Sequence, residues 1–67
     1  MSSEATEDFY TLLCVRPDGV ASVVDLVAAR DLGIVRHRAV ALLNEHLSAD
    51  TVEVWCDGAL LEQLERA

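Results

Sequence analysis

Apolar residues recur along this chain in five runs separated by short polar breaks, and the spacing within each run predicts an element. Residues 9–15, FYTLLCV, are rich in aromatic and aliphatic residues and stop at an Arg-Pro-Asp-Gly turn, which predicts a strand. Both faces of this strand are largely apolar, so we expect it to be covered on both sides. Residues 51–56, TVEVWC, alternate between apolar and polar positions, as a half-buried strand does.

The two central runs predict helices. Residues 20–32 are apolar nearly all round a helical projection, which predicts a helix buried on more than one side. Asp18 is its expected N-cap, and Gly33 is expected to end it in the left-handed conformation. Residues 35–47 predict an amphipathic helix. The side chains on its predicted buried arc are Ala39, Val40, Leu42, Leu43 and Leu47.

The last run, ALLEQLERA, predicts a third helix that is capped by Asp57 and Gly58. Glu62 and Arg66 are spaced for an i,i+4 ion pair on it. The predicted order is therefore strand-helix-helix-strand-helix, an α+β domain over residues 9–67 that follows a disordered acidic arm at residues 1–8.

Oligomerisation follows from this predicted fold, because its two strands would be antiparallel neighbours in a sheet too small to be stable alone. The chain has 67 residues, of which 52% are apolar. A domain of this size hides only about 60% of its unfolded surface. We therefore expect a homodimer in which two copies join sheet edges or pack their helices, which completes the sheet and covers the apolar first helix.

Charge and the absence of targeting segments indicate in which compartment the protein is expected. Twelve acidic residues against five basic ones give a net charge of −7. The first residues lack the basic start and apolar run of a signal peptide, and no apolar run approaches the roughly 20 residues that cross a bilayer. The sequence therefore predicts a cytoplasmic protein without a membrane partner.

The residue types that carry chemistry are present without a recognisable pattern. Cys14, His37, His46 and Cys56 match no spacing of zinc ligands. The two cysteines lie on strands predicted to be neighbours, which leaves two interpretations open: a cross-strand pair, or small buried thiols kept reduced in the cytoplasm. With no positioned base and no phosphate-binding glycine motif, we expect a protein that is not an enzyme, with no cofactor, no metal and no small-molecule substrate.

Residues 28–40, AARDLGIVRHRAV, carry one local resemblance. Around the break between the two predicted helices the sequence has the form A-x-D-L-G-[I/V] and resembles the helix-turn-helix of phage Cro and repressor proteins. The resemblance implies that Gly33 is the turn residue, that Ala29 allows close helix contact and that Val40 lies in the core. It also implies that the segment Arg36-His37-Arg38 starts a DNA-recognition helix.

Two functions remain open on this evidence. The first is a regulatory protein that acts through protein contacts, such as an adaptor, an inhibitor or an antitoxin-like regulator, which the apolar first helix and the negative charge favour. The alternative is a helix-turn-helix transcriptional regulator that binds DNA through its one locally basic segment. The side chains predicted to contact a protein partner or DNA are Arg30, Arg36, His37, Arg38 and Asn44.

Overall fold

The computed structural model describes residues 8–66, which form four strands and one helix. The elements in chain order are β1 (Asp8–Val15), β2 (Ala21–Ala29), α1 (Leu32–Glu45), β3 (Thr51–Cys56) and β4 (Ala59–Glu65). The predicted strand-helix-helix-strand-helix order is therefore wrong. Of the predicted acidic arm, residues 1–7 lie outside the described residues and Asp8 begins β1.

The first correction is that residues 21–29 form a strand, because the Arg-Pro-Asp-Gly sequence before them makes a hairpin. The Gly19 amide donates to the Arg16 carbonyl at 2.8 Å, and Gly19 has a φ of 90°. Pro at the first central position and a left-handed Gly after the turn are typical of a three-residue hairpin loop. Asp18 accepts from the Val20 amide and pairs with Arg16, so its carboxylate stabilises this loop and caps no helix.

β-branched residues explain why β2 is a strand in spite of its helix-like spacing. Val23, Val24 and Val27 lose side-chain freedom in a helix and pack well on a pleated sheet. The spacing was misleading because β2 contains a bulge: Leu12 pairs with Asp25 while Leu13 pairs with Val23. One extra residue interrupts the strand's period of two and leaves apolar residues at helical intervals.

The second correction concerns the C-terminal segment, which is β4 and not a helix. Asp57 and Gly58 have φ values of 53° and 78°, and Cys56 pairs with Ala59 across them. Asp-Gly with both residues left-handed is the two-residue turn that matches the twist of a hairpin. The Leu- and Glu-rich segment after it favours helix intrinsically, but strand pairing overrides that preference.

The one predicted helix that exists begins earlier than expected. The Asp31 carboxylate accepts from the Gly33 amide at 2.8 Å, which makes Asp31 the N-cap and places Gly33 inside the first turn. Gly33 therefore starts a helix where the sequence predicted that it ends one. Val40 and Leu47, both predicted to be buried, are exposed. The buried residues of α1 are Val35, Ala39, Leu42 and Leu43.

The four strands form one antiparallel sheet in the order β2-β1-β3-β4. The prediction that residues 9–15 and 51–56 are antiparallel neighbours is confirmed, because β1 pairs with β3. The chain supplies all four strands itself, so the structural reason for expecting a second copy to extend a two-stranded sheet no longer holds. α1 packs on one face of the sheet and encloses a core that includes Leu12, Leu42 and Val54.

Candidate interaction surface

The predicted basic cluster does not form, because the two arginines of α1 reach opposite edges of the sheet. Arg36 pairs with Glu62 of β4 at 2.9 Å, and Arg38 pairs with Asp25 of β2 at 2.6 Å. Side chains two positions apart on a helix point about 200° apart, which is why one reaches each edge strand. These two ion pairs fasten α1 across the sheet.

The ion pair between Arg38 and Asp25 also shifts the pKa of both side chains. The hydrogen bond from Arg38 lowers the pKa of Asp25, against a smaller opposing effect of burial. The same bond raises the pKa of Arg38, which also contacts Glu45 at 3.4 Å. Both arginines of the predicted recognition segment are thus neutralised by carboxylates of the same chain.

The remaining predicted contact residues are scattered. Arg30 is exposed just after β2, and His37 is exposed on the outer side of α1. Asn44 lines a groove of about 250 Å³ between α1 and β4, beside Val40 and Leu64. The structure therefore brings these residues into no single site.

Arg66, which was predicted to pair with Glu62, closes the helix end instead. Its guanidinium donates to the carbonyls of Leu43, His46 and Ala49. The last carbonyls of a helix have no partner within it, so this side chain supplies donors to Leu43 and His46 at the negative end of α1 and also holds the following loop at Ala49.

The feature that the site prediction missed is the sheet face opposite α1, called the open face below. Alternate residues of β1 point to the two sides, and Tyr10, Leu12 and Cys14 point towards α1. The other residues of β1 point away from α1. Together with the residues that lie opposite them on β2 and β3, and the β4 residues opposite those of β3, they form the open face. Its members are Ala21, Val23, Leu26 and Ala28 on β2, Phe9, Thr11, Leu13 and Val15 on β1, Thr51, Glu53 and Trp55 on β3, and Leu60, Gln63 and Glu65 on β4.

The open face is mainly apolar, and its most exposed apolar side chains lie on β2 and at the start of β1, whereas its residues in the middle of the sheet are half-buried. Phe9 is 73% exposed, Leu26 67% and Val23 62%, whereas the residues that point towards α1 from β1 are buried. Within residues 8–66 no element packs on this face, since α1 lies on the other one. The prediction that β1 is covered on both sides is met on one face only within residues 8–66, although the apolar residues on both faces of β1 did indicate a second apolar surface.

Charge on the open face is sparse and of one sign. Glu53 and Glu65 are its two charged residues, and both are acidic. The Glu53 carboxylate is held in place: one oxygen accepts from Trp55 Nε1 at 2.9 Å, and the other accepts from Gln63 Nε2 at 3.3 Å. The face therefore combines apolar side chains with a positioned carboxylate.

The cysteines lie apart in the structure. Cys14 pairs with Val52, and Cys56 lies four residues further along β3, which separates the two cysteines by about 13 Å along the strands. A disulfide requires Cα atoms within about 7 Å, so the cross-strand pair is excluded in this fold. Burial raises the pKa of both thiols, and at Cys56 the nearby carboxylates of Asp57 and Asp8 raise it further.

The histidines also lie apart from a common site: His37 is on the outer side of α1, and His46 caps its C-terminal end. Among residues 8–66 no group of three or more histidine, cysteine or acidic side chains is placed to hold a metal ion. No helix within that range is long and apolar enough to cross a membrane.

Comparison with known proteins adds no family to these observations. The sequence matches no protein-family model, and neither a curated protein nor a solved structure is significantly similar to it.

Proposed function

We propose that this is a small, non-catalytic interaction protein that docks on a different protein through its open face. The observation that carries the proposal is the exposure of Phe9, Val23 and Leu26 on a domain whose own core is already complete. Contiguous apolar surface on a folded domain is typical of a protein-binding site, because leaving it in water costs free energy that a partner recovers.

Charge favours a different protein, rather than a second copy of this chain, as the partner that binds the open face. Each molecule carries a net charge of −7, and the charged residues of the open face are carboxylates. Two copies packed face to face would bring like charges together in an apolar contact, where their repulsion is least screened. The homodimer predicted from the sequence is therefore the less favoured occupant.

DNA binding through Arg36, His37 and Arg38 receives less support than protein binding. Binding to phosphate would require Arg36 and Arg38 to leave Glu62 and Asp25, which are near enough for direct ion pairs. The described residues also contain one helix, whereas a helix-turn-helix requires a packed pair. A gel-shift assay with duplex DNA at low salt is expected to show no complex; a shift lost in Arg36→Ala/Arg38→Ala would favour DNA instead.

Site-specific cross-linking in cells of the source organism tests the proposal. A photoreactive phenylalanine derivative replaces Leu26 on the open face or, as the control, Leu47 after α1, which is apolar and even more exposed. We expect a covalent adduct with a different protein from position 26 and not from position 47.

The other outcomes of this experiment each contradict part of the proposal. An adduct at twice the mass of the chain from position 26 would identify a second copy as the occupant. Adducts from position 47 alone, from both positions equally, or from neither would rule out the open face as the docking surface.

A further inference from the structure

The carboxylates of this protein differ in whether the chain supplies a cation for them. On the face covered by α1, Asp25 and Glu62 each have an arginine within 2.9 Å. Glu53 on the open face accepts hydrogen bonds from two neutral groups, Trp55 and Gln63, and makes no ion pair with the described residues. A carboxylate has about four acceptor positions, so Glu53 retains capacity for a charged donor.

The position of Glu53 makes it suitable for recognition. Its cross-strand neighbour on β1 is Leu13, which in turn pairs with Val23, so the carboxylate lies beside the apolar part of the open face. Two hydrogen bonds hold its oxygens, which reduces the entropy lost when a partner's cation binds. A partner that covers the apolar residues would place its flanking side chains near this carboxylate.

The dimensions of the face indicate the type of element that fits it. α1 has 14 residues and covers the opposite face of the same sheet, fastened by its arginines to acidic residues of β2 and β4. A second helix of about the same length, about 21 Å, would span the open face in the same way. Its apolar stripe would pack on the strands, and its basic residues would lie towards Glu53 and Glu65.

We propose that the segment bound on the open face is a cationic amphipathic helix of the partner protein. This inference rests on the proposed function and specifies the partner's chemistry. Apolar residues of the helix contact the β1–β2 half of the face, including Leu13 and Leu26, and a lysine or arginine of the helix pairs with Glu53. Such a helix supplies both the apolar cover and the cation that the face lacks.

Fluorescence of Trp55 provides the test, because Trp55 is the single tryptophan of the chain and lies on the open face. The probes are two synthetic amphipathic peptides of about 14 residues with the same leucine stripe, one with lysine and one with glutamate at its polar positions. We expect the lysine peptide to shift Trp55 emission to shorter wavelength and to bind at least about tenfold more tightly than the glutamate peptide.

A matched pair of variants locates the contact. Glu53→Gln and Glu45→Gln remove the same charge, one on the open face and one on α1. We expect Glu53→Gln to weaken the lysine peptide about fivefold, which is the size of one favourable ion pair, and Glu45→Gln to leave its affinity within about twofold. Equal effects of the two variants would mean that net charge alone attracts the peptide, and would overturn the inference.

The failures of the inference and of the proposed function give different results. If both peptides bind equally and Leu26→Lys weakens both, the open face binds apolar helices but the cationic requirement is wrong. If lysine-peptide binding is insensitive to Leu26→Lys, the open face is not the docking surface and both proposals fail. If neither peptide binds while sedimentation finds a dimer that Leu26→Lys dissociates, the occupant is a second copy and the cationic-helix inference is wrong.

Discussion

Single residues at the two hairpin turns decide which elements form. Gly58 has a φ of 78° with open space where a Cβ would be, so a side chain there is limited by backbone conformation and not by contacts. A non-glycine residue in the left-handed region costs about 1 kcal/mol or more.

Gly58→Ala is therefore expected to lower the free energy of unfolding by about 1 kcal/mol, measured by urea denaturation. The helix predicted from the sequence would require the opposite result, because alanine favours the first turn of a helix. An unchanged or increased stability would contradict the two-residue hairpin turn.

The thiol of Cys56 lies beside this turn and gives a second prediction. Burial, Asp57 and Asp8 raise its pKa, so the reactive thiolate is scarce near neutral pH. Asp57→Asn keeps a residue type that tolerates the left-handed conformation and removes one negative charge, which lowers the pKa of Cys56 towards its ordinary value. We expect the rate of alkylation at about pH 8 to increase about twofold.

Iodoacetamide labelling followed by mass spectrometry measures this rate, with Cys14→Ala in both proteins so that a single thiol reacts. Glu45→Gln likewise replaces a carboxylate with an amide, but on α1. It is the control and is expected to leave the rate unchanged. A rate that falls or stays constant in Asp57→Asn would show that the carboxylate does not influence the thiol.

At the scale of elements, α1 depends on its ion pairs with the edge strands. The hydrogen bond from Arg38 lowers the pKa of Asp25 in the folded protein below its ordinary value of 3.8. A carboxyl group whose pKa is lowered on folding stabilises the protein above the unfolded value, and this contribution is lost as pH falls through the folded value.

Arg38→Ala is therefore expected to melt at a lower temperature than the wild type at about pH 6, with a difference that shrinks as the pH is taken below 3.8. Thermal unfolding followed by circular dichroism measures both melting temperatures. Arg16→Ala breaks an ion pair confined to an exposed loop and serves as the control, with a small effect expected. A constant difference across the whole pH range would mean that Arg38 acts by packing rather than by charge.

The elements also explain which predictions from the sequence succeed. β1, β3 and most of α1 are predictable, because each has a clear period or a sequence of β-forming residues between breakers. β2 and β4 are missed for two reasons: each follows an Asp-Gly that turns the chain back on itself, and each contains a bulge that disturbs its alternation. An Asp-Gly pair also fits a helix start, so the local sequence permits both structures and only pairing with a neighbouring strand selects one.

The candidate surface is less accessible to sequence analysis than the fold. The sequence gathers Arg36 and Arg38 into a basic segment, but the fold separates them to opposite edges of the sheet. The open face, in contrast, is assembled from two hairpins that α1 separates in sequence. Its apolar character could be read from β1, but its extent depends on the register of every strand.

At the scale of the whole molecule, core and open face are separate surfaces of one sheet. Leu12 is fully buried beneath α1, whereas Leu26 is exposed on the other side. Leu26→Lys is therefore expected to change the free energy of unfolding by no more than about 0.5 kcal/mol. Leu12→Ala, which opens a cavity, is expected to cost about 3 kcal/mol.

Urea denaturation of the two variants measures both changes in the free energy of unfolding. An apolar fluorescent dye should bind native Leu26→Lys less than it binds the wild type. If Leu26→Lys destabilised the protein as much as Leu12→Ala, residue 26 would have to be buried in solution, as in a second copy bound face to face. Comparable stability with lower dye binding would agree with an exposed docking face.

The bulges in β2 and β4 affect how readily one molecule adds to another through the edges of the sheet. Fibrils grow when straight, regular strands add to one another edge by edge. Both outer strands here are bent near the middle, and the longest regular stretch on either is residues 25–29. Irregular edges are poor templates for such growth. The molecule can therefore expose an apolar face while its edge strands disfavour edge-to-edge polymerisation.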